Sequence, residues 1–212
     1  MAKKAINVEV ISDTVCPWCF VGKRRLEQAM AKFADRADFK VTWRPYQLAP
    51  EAPKEGMNKM QYYNDKFGPA KVAQMMPMMA KVYADLGLAY STGGMIGNTL
   101  DSHRLIAWAE QFGHVAQNKL VEEFFLDYFT REKFIGGRDV LLDGVGRAGL
   151  DVAAAAAVLD DPTAYRQQVE QQIARARGVG GVPFFTVEGR YKMSGAQPPE
   201  LFEELFEQIC SK

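Results

Sequence analysis

Two cysteines near the amino end of this sequence are separated by two residues, in the order Cys16-Pro17-Trp18-Cys19. Cysteines at positions i and i+3 in the first turn of a helix can close a small disulfide ring, which suits reversible dithiol chemistry. The amino-terminal cysteine faces the unpaired backbone N–H groups of the helix start, and these groups stabilise a thiolate. Cys16 is therefore predicted to be the nucleophile and Cys19 the resolving thiol.

Closely spaced cysteines also occur in structural disulfides and in zinc sites. A purely structural disulfide between Cys16 and Cys19 would close too short a loop to constrain the chain much. A zinc site usually needs four ligands, and the remaining candidates are scattered singly: Cys210, His103 and His114. The sequence therefore predicts no metal, and two incidental core cysteines are the remaining alternative.

The segments on either side of the motif predict the elements that position it. Residues 6–11 alternate and are rich in β-branched side chains, which is typical of a strand, and residues 12–14 form a turn. After the motif, apolar residues recur at helical spacing, and the charged residues 23–25 and 27 are expected on the exposed face. Pro17 is well tolerated in a first turn, so it supports the active-site turn. A strand, a CxxC motif and a helix in this order indicate a thioredoxin-like fold.

The rest of the chain divides into a long helical region and a second group of strands. Residues 39–44 alternate again, and a proline-rich connector follows at residues 47–56. Helical patterns then follow one another over residues 58–67, 69–86, 99–112, 117–130, 138–148, 151–159 and 162–176. Residues 182–187 and 190–193 predict two strands joined by a tight turn, before a terminal amphipathic helix.

This order predicts an α/β protein with a thioredoxin fold that is interrupted after its second strand by a large all-helical insertion. The thioredoxin-like domain is expected to comprise residues 1–50 plus 177–212, and the helical insertion residues 57–176. The sequence does not decide between two roles for the insertion, which are to form the wall of a substrate cleft or the interface of a homodimer.

Composition restricts the partners and the compartment. The 26 basic and 26 acidic residues cancel, and no basic stripe is interleaved with aromatic residues. We therefore expect no nucleic-acid partner and no membrane partner. The first strand follows Met1 almost at once without an apolar export segment, which predicts a cytoplasmic protein.

Four separated blocks of this sequence, in the right order, resemble the DsbA-like family and, more narrowly, its cytosolic FrnE-like branch. These blocks are residues 12–19 with 22–24, 98–104, 128–130, and 181–185 with 194–197. The resemblance covers nearly the whole chain. It implies a thiol–disulfide oxidoreductase or isomerase that acts on proteins or small thiols, with no bound cofactor beyond its own redox-active disulfide. The resemblance is also compatible with glutathione as a co-substrate.

The resemblance also implies roles for individual residues. It assigns Val182-Pro183 to a cis-proline loop that faces the cysteines, where Val182 offers backbone groups to an extended substrate. Trp18, Asn98 and His103 are expected to contact substrate. The alternative for Asn98 is a helix cap, and for His103 a packed, hydrogen-bonded side chain.

Several residues keep two interpretations. Asp13 either forms a turn or relays a proton beside Cys16. The methionines around Pro77 either line an adaptable groove for unfolded polypeptide or pack in the core: Met75, Met76, Met78 and Met79. Cys210 is expected to be a small buried side chain, with a regulatory thiol as its alternative.

Two alternative functions remain open. FrnE-like proteins also resemble glutathione-dependent isomerases of chromene carboxylates and kappa-class transferases, which typically carry a serine in place of Cys16. A holdase that binds unfolded chains would not need either cysteine. For the dithiol enzyme, Trp18 brings no positive charge, so we expect a weaker oxidant than periplasmic DsbA and a reductase or isomerase direction.

Overall fold

The structure is a computed structural model that describes residues 3–211, with nine α-helices in that range arranged around a four-stranded sheet and a two-stranded one. The strands are β1 (Lys4–Ser12), β2 (Ala37–Pro45), β3 (Met57–Asn58), β4 (Met95–Ile96), β5 (Phe184–Val187) and β6 (Tyr191–Ser194). The helices are α1 (Pro17–Lys32), α2 (Lys59–Phe67), α3 (Pro69–Ala84), α4 (Leu100–Ala109), α5 (His114–Phe129), α6 (Arg138–Arg147), α7 (Val152–Asp160), α8 (Arg166–Ala176) and α9 (Pro199–Cys210).

The larger sheet has the strand order β2-β1-β5-β6, so its strands come from both ends of the chain. Strand β1 pairs in parallel with β2, and β5 is antiparallel to both β1 and β6. The register places Val10 beside Trp43 on one side and Phe185 on the other, and all three are buried. Their neighbour Glu9, whose side chain points to the opposite face, is exposed. The alternation therefore buries one face of the sheet along its central strands.

Aromatic contacts join the helices to that buried face. Phe202 of α9 meets Phe185 edge-on with ring centroids 5.0 Å apart. Phe20 of α1 stacks at 5.0 Å on Phe125 of α5, which belongs to the helical insertion. Both helices thus share one continuous hydrophobic core with the sheet. This packing fixes the start of α1, where the two cysteines lie.

The α/β class and the thioredoxin fold with its large helical content are confirmed. The insertion is not purely helical, because β3 and β4 pair antiparallel over two residues each, Met57 with Ile96 and Asn58 with Met95. A ladder this short leaves no alternating pattern that sequence periodicity could detect.

Some predicted helix boundaries also differ. Helix α8 begins at Arg166 instead of Pro162, because Asp161 accepts bonds from the backbone N–H and the hydroxyl of Thr163 and holds a turn there. Tyr165 then adopts a left-handed conformation with φ 57°, which separates the turn from the helix. Helix α4 ends at Ala109, and a short 3-10 turn continues it to Phe112. None of the helices within residues 3–211 is long and apolar enough to cross a bilayer.

Candidate active site

Cys16 lies at the junction between the first strand and the first helix, as the N-cap residue of α1. Its N–H donates to the carbonyl of Asp13 at 3.0 Å, and its own carbonyl accepts from the N–H of Cys19 at 3.0 Å. The two cysteines are unjoined thiols in this structure. Cys16 keeps 4% of its surface exposed, whereas Cys19 is fully buried. Of these two cysteines, Cys16 alone is therefore accessible from the surface.

The surroundings of Cys19 favour its neutral thiol. Burial raises the pKa of Cys19 well above its ordinary range, and the adjacent Cys16 raises it further. Hydrogen bonds from Ser12 and from the backbone of Asp13 oppose this effect without cancelling it. These surroundings therefore hold Cys19 as the neutral thiol.

The loop before β5 faces Cys16, and the Val182-Pro183 peptide bond in it is cis. The Cys16 thiol donates to the carbonyl oxygen of Val182, with the sulfur 3.6 Å from that oxygen. Helix α1 approaches the same loop at Gly22, where a Cβ atom would lie 2.9 Å from Cγ of Pro183. The absence of a side chain at Gly22 therefore lets the helix and the loop come together.

A buried polar cluster anchors the turn that precedes the cysteines. Asp13 is fully buried, and its carboxylate accepts from the N–H of Leu48 at 2.7 Å. Its other oxygen lies 3.2 Å from Nε2 of His103 on α4. The adjacent hydroxyls of Thr14 and Ser102 are 2.9 Å apart. The helical insertion thus holds the active-site turn through side chains about 90 positions away in sequence.

Cys16 borders a cavity of about 290 Å³ between the active-site turn and helices α2 and α3. Cys16, Pro17, Trp18 and Val182 lie at one end of it. The other lining residues include Leu48, Tyr62, Tyr63, Lys66, Phe67, Met75, Met76, Met78, Met79 and Tyr90. Of the described residues around this cavity, only Lys66 carries a charge. Cys16, the predicted nucleophile, therefore borders an almost entirely apolar space.

The structure brings together some of the predicted site residues and separates others. Trp18, with 36% of its surface exposed, lines the cavity together with Val182. His103 is buried against Asp13 and does not line the cavity. Its position fits the alternative of a packed, hydrogen-bonded side chain. Asn98 donates to the carbonyl of Pro50 at 2.7 Å, and its own side-chain oxygen caps the N–H of Leu100 at the start of α4. Asn98 likewise lies outside the cavity.

The two interpretations of the methionines around Pro77 both describe part of the segment. Met79 is buried in the core, whereas Met78 is 46% exposed, and both line the cavity. Cys210 is a half-buried free thiol packed against the core through the last turn of α9.

The aromatic side of the cavity was not predicted from the sequence. Tyr63 and Phe67 recur at the i, i+4 spacing of α2, a pattern that predicts a shared helix face but not what that face covers. Tyr83 was not predicted either; its hydroxyl donates to the carbonyl of Pro17 at 3.1 Å. Burial raises the pKa of Tyr63 to about 12, so its hydroxyl stays neutral beside Cys16.

Within residues 3–211, no three His, Cys, Asp or Glu side chains cluster so that they could hold a metal ion.

Comparison with known proteins agrees with this geometry. A family model described as the DSBA-like thioredoxin domain matches residues 7–207, nearly the whole chain. This chain belongs to the family of DsbA-like thioredoxin domains. It is 33% identical to a probable DsbA oxidoreductase from Streptomyces coelicolor, whose crystal structure superimposes with a TM-score of 0.88. That match covers 98% of this chain and 91% of the Streptomyces protein.

Two more distant structures share the DsbA-like fold. The cytosolic disulfide reductase DsbM from Pseudomonas aeruginosa, solved with glutathione, is 18% identical with a TM-score of 0.61, covering 97% of this chain and all of DsbM. A 2-hydroxychromene-2-carboxylate isomerase is 15% identical with a TM-score of 0.70, covering 96% of each chain. At these identities the likeness extends to the fold alone.

Proposed function

We propose that this protein is a thiol–disulfide oxidoreductase that uses Cys16 and Cys19 as a redox dithiol on protein or small-thiol disulfides. The observation that carries the proposal is the arrangement around Cys16. Its sulfur lies 3.6 Å from the Val182 carbonyl and borders an open cavity, while Cys19 is buried one helical turn away. Membership of the DsbA-like family supports the same chemistry.

The reaction proceeds in two exchange steps. In the first, the Cys16 thiolate attacks one sulfur of the substrate disulfide, and the other substrate sulfur leaves as a thiolate that takes up a proton. In the second, Cys19 loses its proton and attacks the Cys16 sulfur, which releases the second substrate thiol. Two electrons pass to the substrate, and the enzyme is left with the Cys16–Cys19 disulfide.

Two molecules of a small thiol such as glutathione would complete the cycle. The first thiol attacks the Cys16 sulfur and forms a mixed disulfide, and the second displaces it as oxidised glutathione, which restores the dithiol. Glutathione comes into the proposal through DsbM, a distant structural neighbour solved with that thiol. We place this cycle in the cytoplasm and the chain in the FrnE-like branch, as the sequence predicts. In a reducing compartment the dithiol is the resting form, which favours reduction or isomerisation.

The loop at Val182-Pro183 is proposed to hold the substrate segment. The edge of the loop beside Cys16 presents backbone groups that an extended chain can pair with, as in β-strand addition. Trp18 would contact the substrate from the side of the motif. His103 lies outside the cavity and is proposed to act by holding Asp13. Asn98 is proposed to act by holding the connector at residues 47–50, whose Leu48 N–H donates to Asp13.

Turnover of insulin and of scrambled ribonuclease in the presence of glutathione tests the proposal with two matched variants. We expect Cys16→Ser to lose turnover and to form no mixed disulfide with substrate. We expect Cys19→Ser to carry out the first attack and then to accumulate the mixed disulfide, which mass spectrometry detects.

Other outcomes would contradict the proposal or favour a different function. Turnover that persists in Cys16→Ser would overturn the proposed nucleophile. Tight glutathione binding without any disulfide exchange would favour a glutathione-dependent isomerase or transferase. Suppression of aggregation by a double cysteine variant, with no exchange by the wild type, would favour a holdase.

A further inference from the structure

The cavity beside Cys16 has walls that suit an apolar ligand. Tyr62 and Phe67 of α2 face it together with the methionines of α3 and Ile96 of β4. Methionine side chains are unbranched and polarisable, so they adjust to ligands of different shape. Burial of apolar ligand area against such a surface is favourable. The same surface offers few hydrogen-bond partners to polar groups.

The size of the cavity limits what it can hold. Its volume of about 290 Å³ is close to the lower limit of ligand pockets, which span roughly 300–1,000 Å³. This space admits an aromatic ring or a branched alkyl group but not a folded domain. Because Cys16 forms part of the wall, a group bound there places its attached sulfur beside the nucleophile.

Glutathione does not match these walls. It carries two carboxylates, an ammonium group and two amides, which would lose their hydration without gaining partners in an apolar space. A small thiol of this kind would therefore react from the solvent side of Cys16. The cavity then remains available to one half of a substrate disulfide.

Lys66 adds a charge at the mouth of the cavity. Its ammonium group donates to the hydroxyl of Tyr62 at 2.8 Å and lies 3.4 Å from the carbonyl oxygen of Leu48. The side chain is exposed, and no carboxylate within the described residues pairs with it. The same ammonium group lies 5.2 Å from the Tyr62 ring centroid and 5.6 Å from that of Phe67. A cation without a paired carboxylate beside an apolar space favours a ligand that carries a negative charge next to its apolar group.

We propose that the preferred substrates are disulfides with an aromatic or branched alkyl half that fills this cavity and a negative charge that meets Lys66. This proposal rests on the function proposed above and names its substrate class. The Cys16 thiolate attacks the sulfur of the bound half, and the other half leaves as a thiolate. Cys19 then releases the bound half as its thiol, so that both substrate sulfurs are reduced.

Three disulfides test the proposal with the reduced wild-type protein. These are 5,5′-dithiobis(2-nitrobenzoate), which is aromatic and anionic, 4,4′-dithiodipyridine, which is aromatic and neutral, and bis(2-hydroxyethyl) disulfide, which is polar. Each rate constant is divided by that of dithiothreitol with the same disulfide, because the three differ in intrinsic reactivity. We expect both aromatic disulfides to exceed the polar one by about tenfold or more.

Matched variants separate the apolar contribution from the charge. Met78→Glu changes an exposed methionine that lines the cavity, and Met57→Glu changes an exposed methionine that does not. We expect Met78→Glu to slow both aromatic disulfides and Met57→Glu to slow neither. We expect Lys66→Gln to slow the anionic disulfide by about threefold or more and to leave the neutral one unchanged, with weaker dependence on salt.

The proposal is overturned if the normalised rates of the polar and aromatic disulfides are equal. In that case exchange at Cys16 and Cys19 still stands, because the polar disulfide is consumed. If Lys66→Gln slows the neutral and anionic disulfides alike, the charge requirement is overturned. If the wild type consumes none of the three, both the substrate class and the proposed function fail.

Discussion

Cys16 and Cys19 differ in access and in environment although they are one helical turn apart. Cys16 borders the cavity and the Val182 carbonyl, whereas Cys19 is fully buried and its pKa is raised, chiefly by burial. A buried thiol resists ionisation and is closed to substrate. The asymmetry supports the proposed roles, in which Cys16 attacks the substrate and Cys19 releases the product.

Release of the mixed disulfide should therefore depend strongly on pH. Burial is the largest cause of the raised pKa of Cys19, and it does not depend on a free Cys16 thiol. We therefore expect the pKa of Cys19 to stay above its ordinary value in the intermediate. Below that pKa, the thiolate fraction rises about tenfold per pH unit, and the rate of release should rise with it. Single-turnover measurements between about pH 6 and about pH 8.5 test this expectation.

The control for this prediction is Cys19→Ser, which lacks the resolving thiol. Its mixed disulfide should persist at every pH unless an external thiol is added. A release rate in the wild type that stays flat with pH would contradict the assigned role of Cys19.

The two cysteines could be predicted as nucleophile and resolving thiol because their spacing is local. The sequence left two interpretations open for Asp13, a turn or a proton relay, and two for His103, a contact with substrate or a packed, hydrogen-bonded side chain. The observed contact, 3.2 Å between Nε2 of His103 and the carboxylate of Asp13, joins residues 90 positions apart. Such a contact depends on how α4 docks on the sheet, which leaves no signal in either segment.

At the scale of elements, the distance between α1 and the cis-proline loop controls the site. Gly22 lies on the face of α1 that meets the loop, and a Cβ atom there would lie 2.9 Å from Pro183 and 3.0 Å from the ring of Phe185. Neither neighbour is the free end of a flexible side chain. The helix and the loop are therefore packed as closely as glycine allows.

Gly22→Ala should move the two elements apart. Alanine favours a helix over glycine by about 1 kcal/mol, yet the overlap with Pro183 and Phe185 should lower the free energy of unfolding by about 1–3 kcal/mol. The same shift should slow disulfide exchange, because Cys16 and Val182 lie on opposite sides of this contact. Urea unfolding and insulin turnover measure the two effects.

Gly146→Ala in α6 provides the matched control. Gly146 is exposed, and its nearest neighbour is a methyl group of Val152 at 3.3 Å from the added Cβ position. This variant should be neutral or up to about 1 kcal/mol more stable. Equal stability of the Gly22→Ala variant and the wild type would refute the close packing.

Helical periodicity predicted α1 but not the environment of each of its faces. Lys23 was expected on the exposed face, yet only 2% of its side chain is exposed, and it forms ion pairs with Glu27 at 2.5 Å and with Glu122 of α5 at 2.7 Å. The expectation for Lys23 was wrong because the insertion covers that face. A charge pattern in one helix does not indicate which other element will neutralise it.

At the scale of the whole molecule, the insertion contains a buried cation. Lys59, at the start of α2, is 1% exposed, and its ammonium group donates to the carbonyl of Tyr128 at 2.9 Å. The same group lies 3.9 Å from the centroid of the Tyr128 ring. Burial lowers the pKa of Lys59 from 10.5 to about 8.

This shift predicts that stability rises with pH in an alkaline window. Between about pH 8 and about pH 10.5, Lys59 has lost its proton in the folded protein but keeps it when unfolded, so raising the pH favours folding. The gain is at most about 3 kcal/mol. The measured quantity is the free energy of unfolding of the wild type minus that of Lys59→Met. We expect this difference to be more positive at about pH 10 than at about pH 7. A difference that is constant with pH would contradict the lowered pKa.

The order of elements was predictable at this scale because each strand and helix has its own local pattern. The resemblance to DsbA-like proteins also anticipated the cis bond before Pro183. A groove lined by the methionines around Pro77 was one of two interpretations that the sequence left open. The aromatic walls of the cavity were not predictable, because the cavity forms only when α2, α3 and the segment around Leu48 meet beside Cys16. Its walls come from parts of the chain whose own sequences specify only helices and a connector.

The redox potential of the Cys16–Cys19 pair decides whether this molecule works as a dithiol enzyme and in which direction. Equilibration with defined ratios of reduced and oxidised glutathione, followed by thiol alkylation and mass spectrometry, measures it. We expect a reversible two-electron couple, with a potential more negative than the value of about −120 mV for periplasmic DsbA. A pair that never forms a disulfide would contradict the redox-active dithiol, and a potential near that of DsbA would contradict the reducing direction.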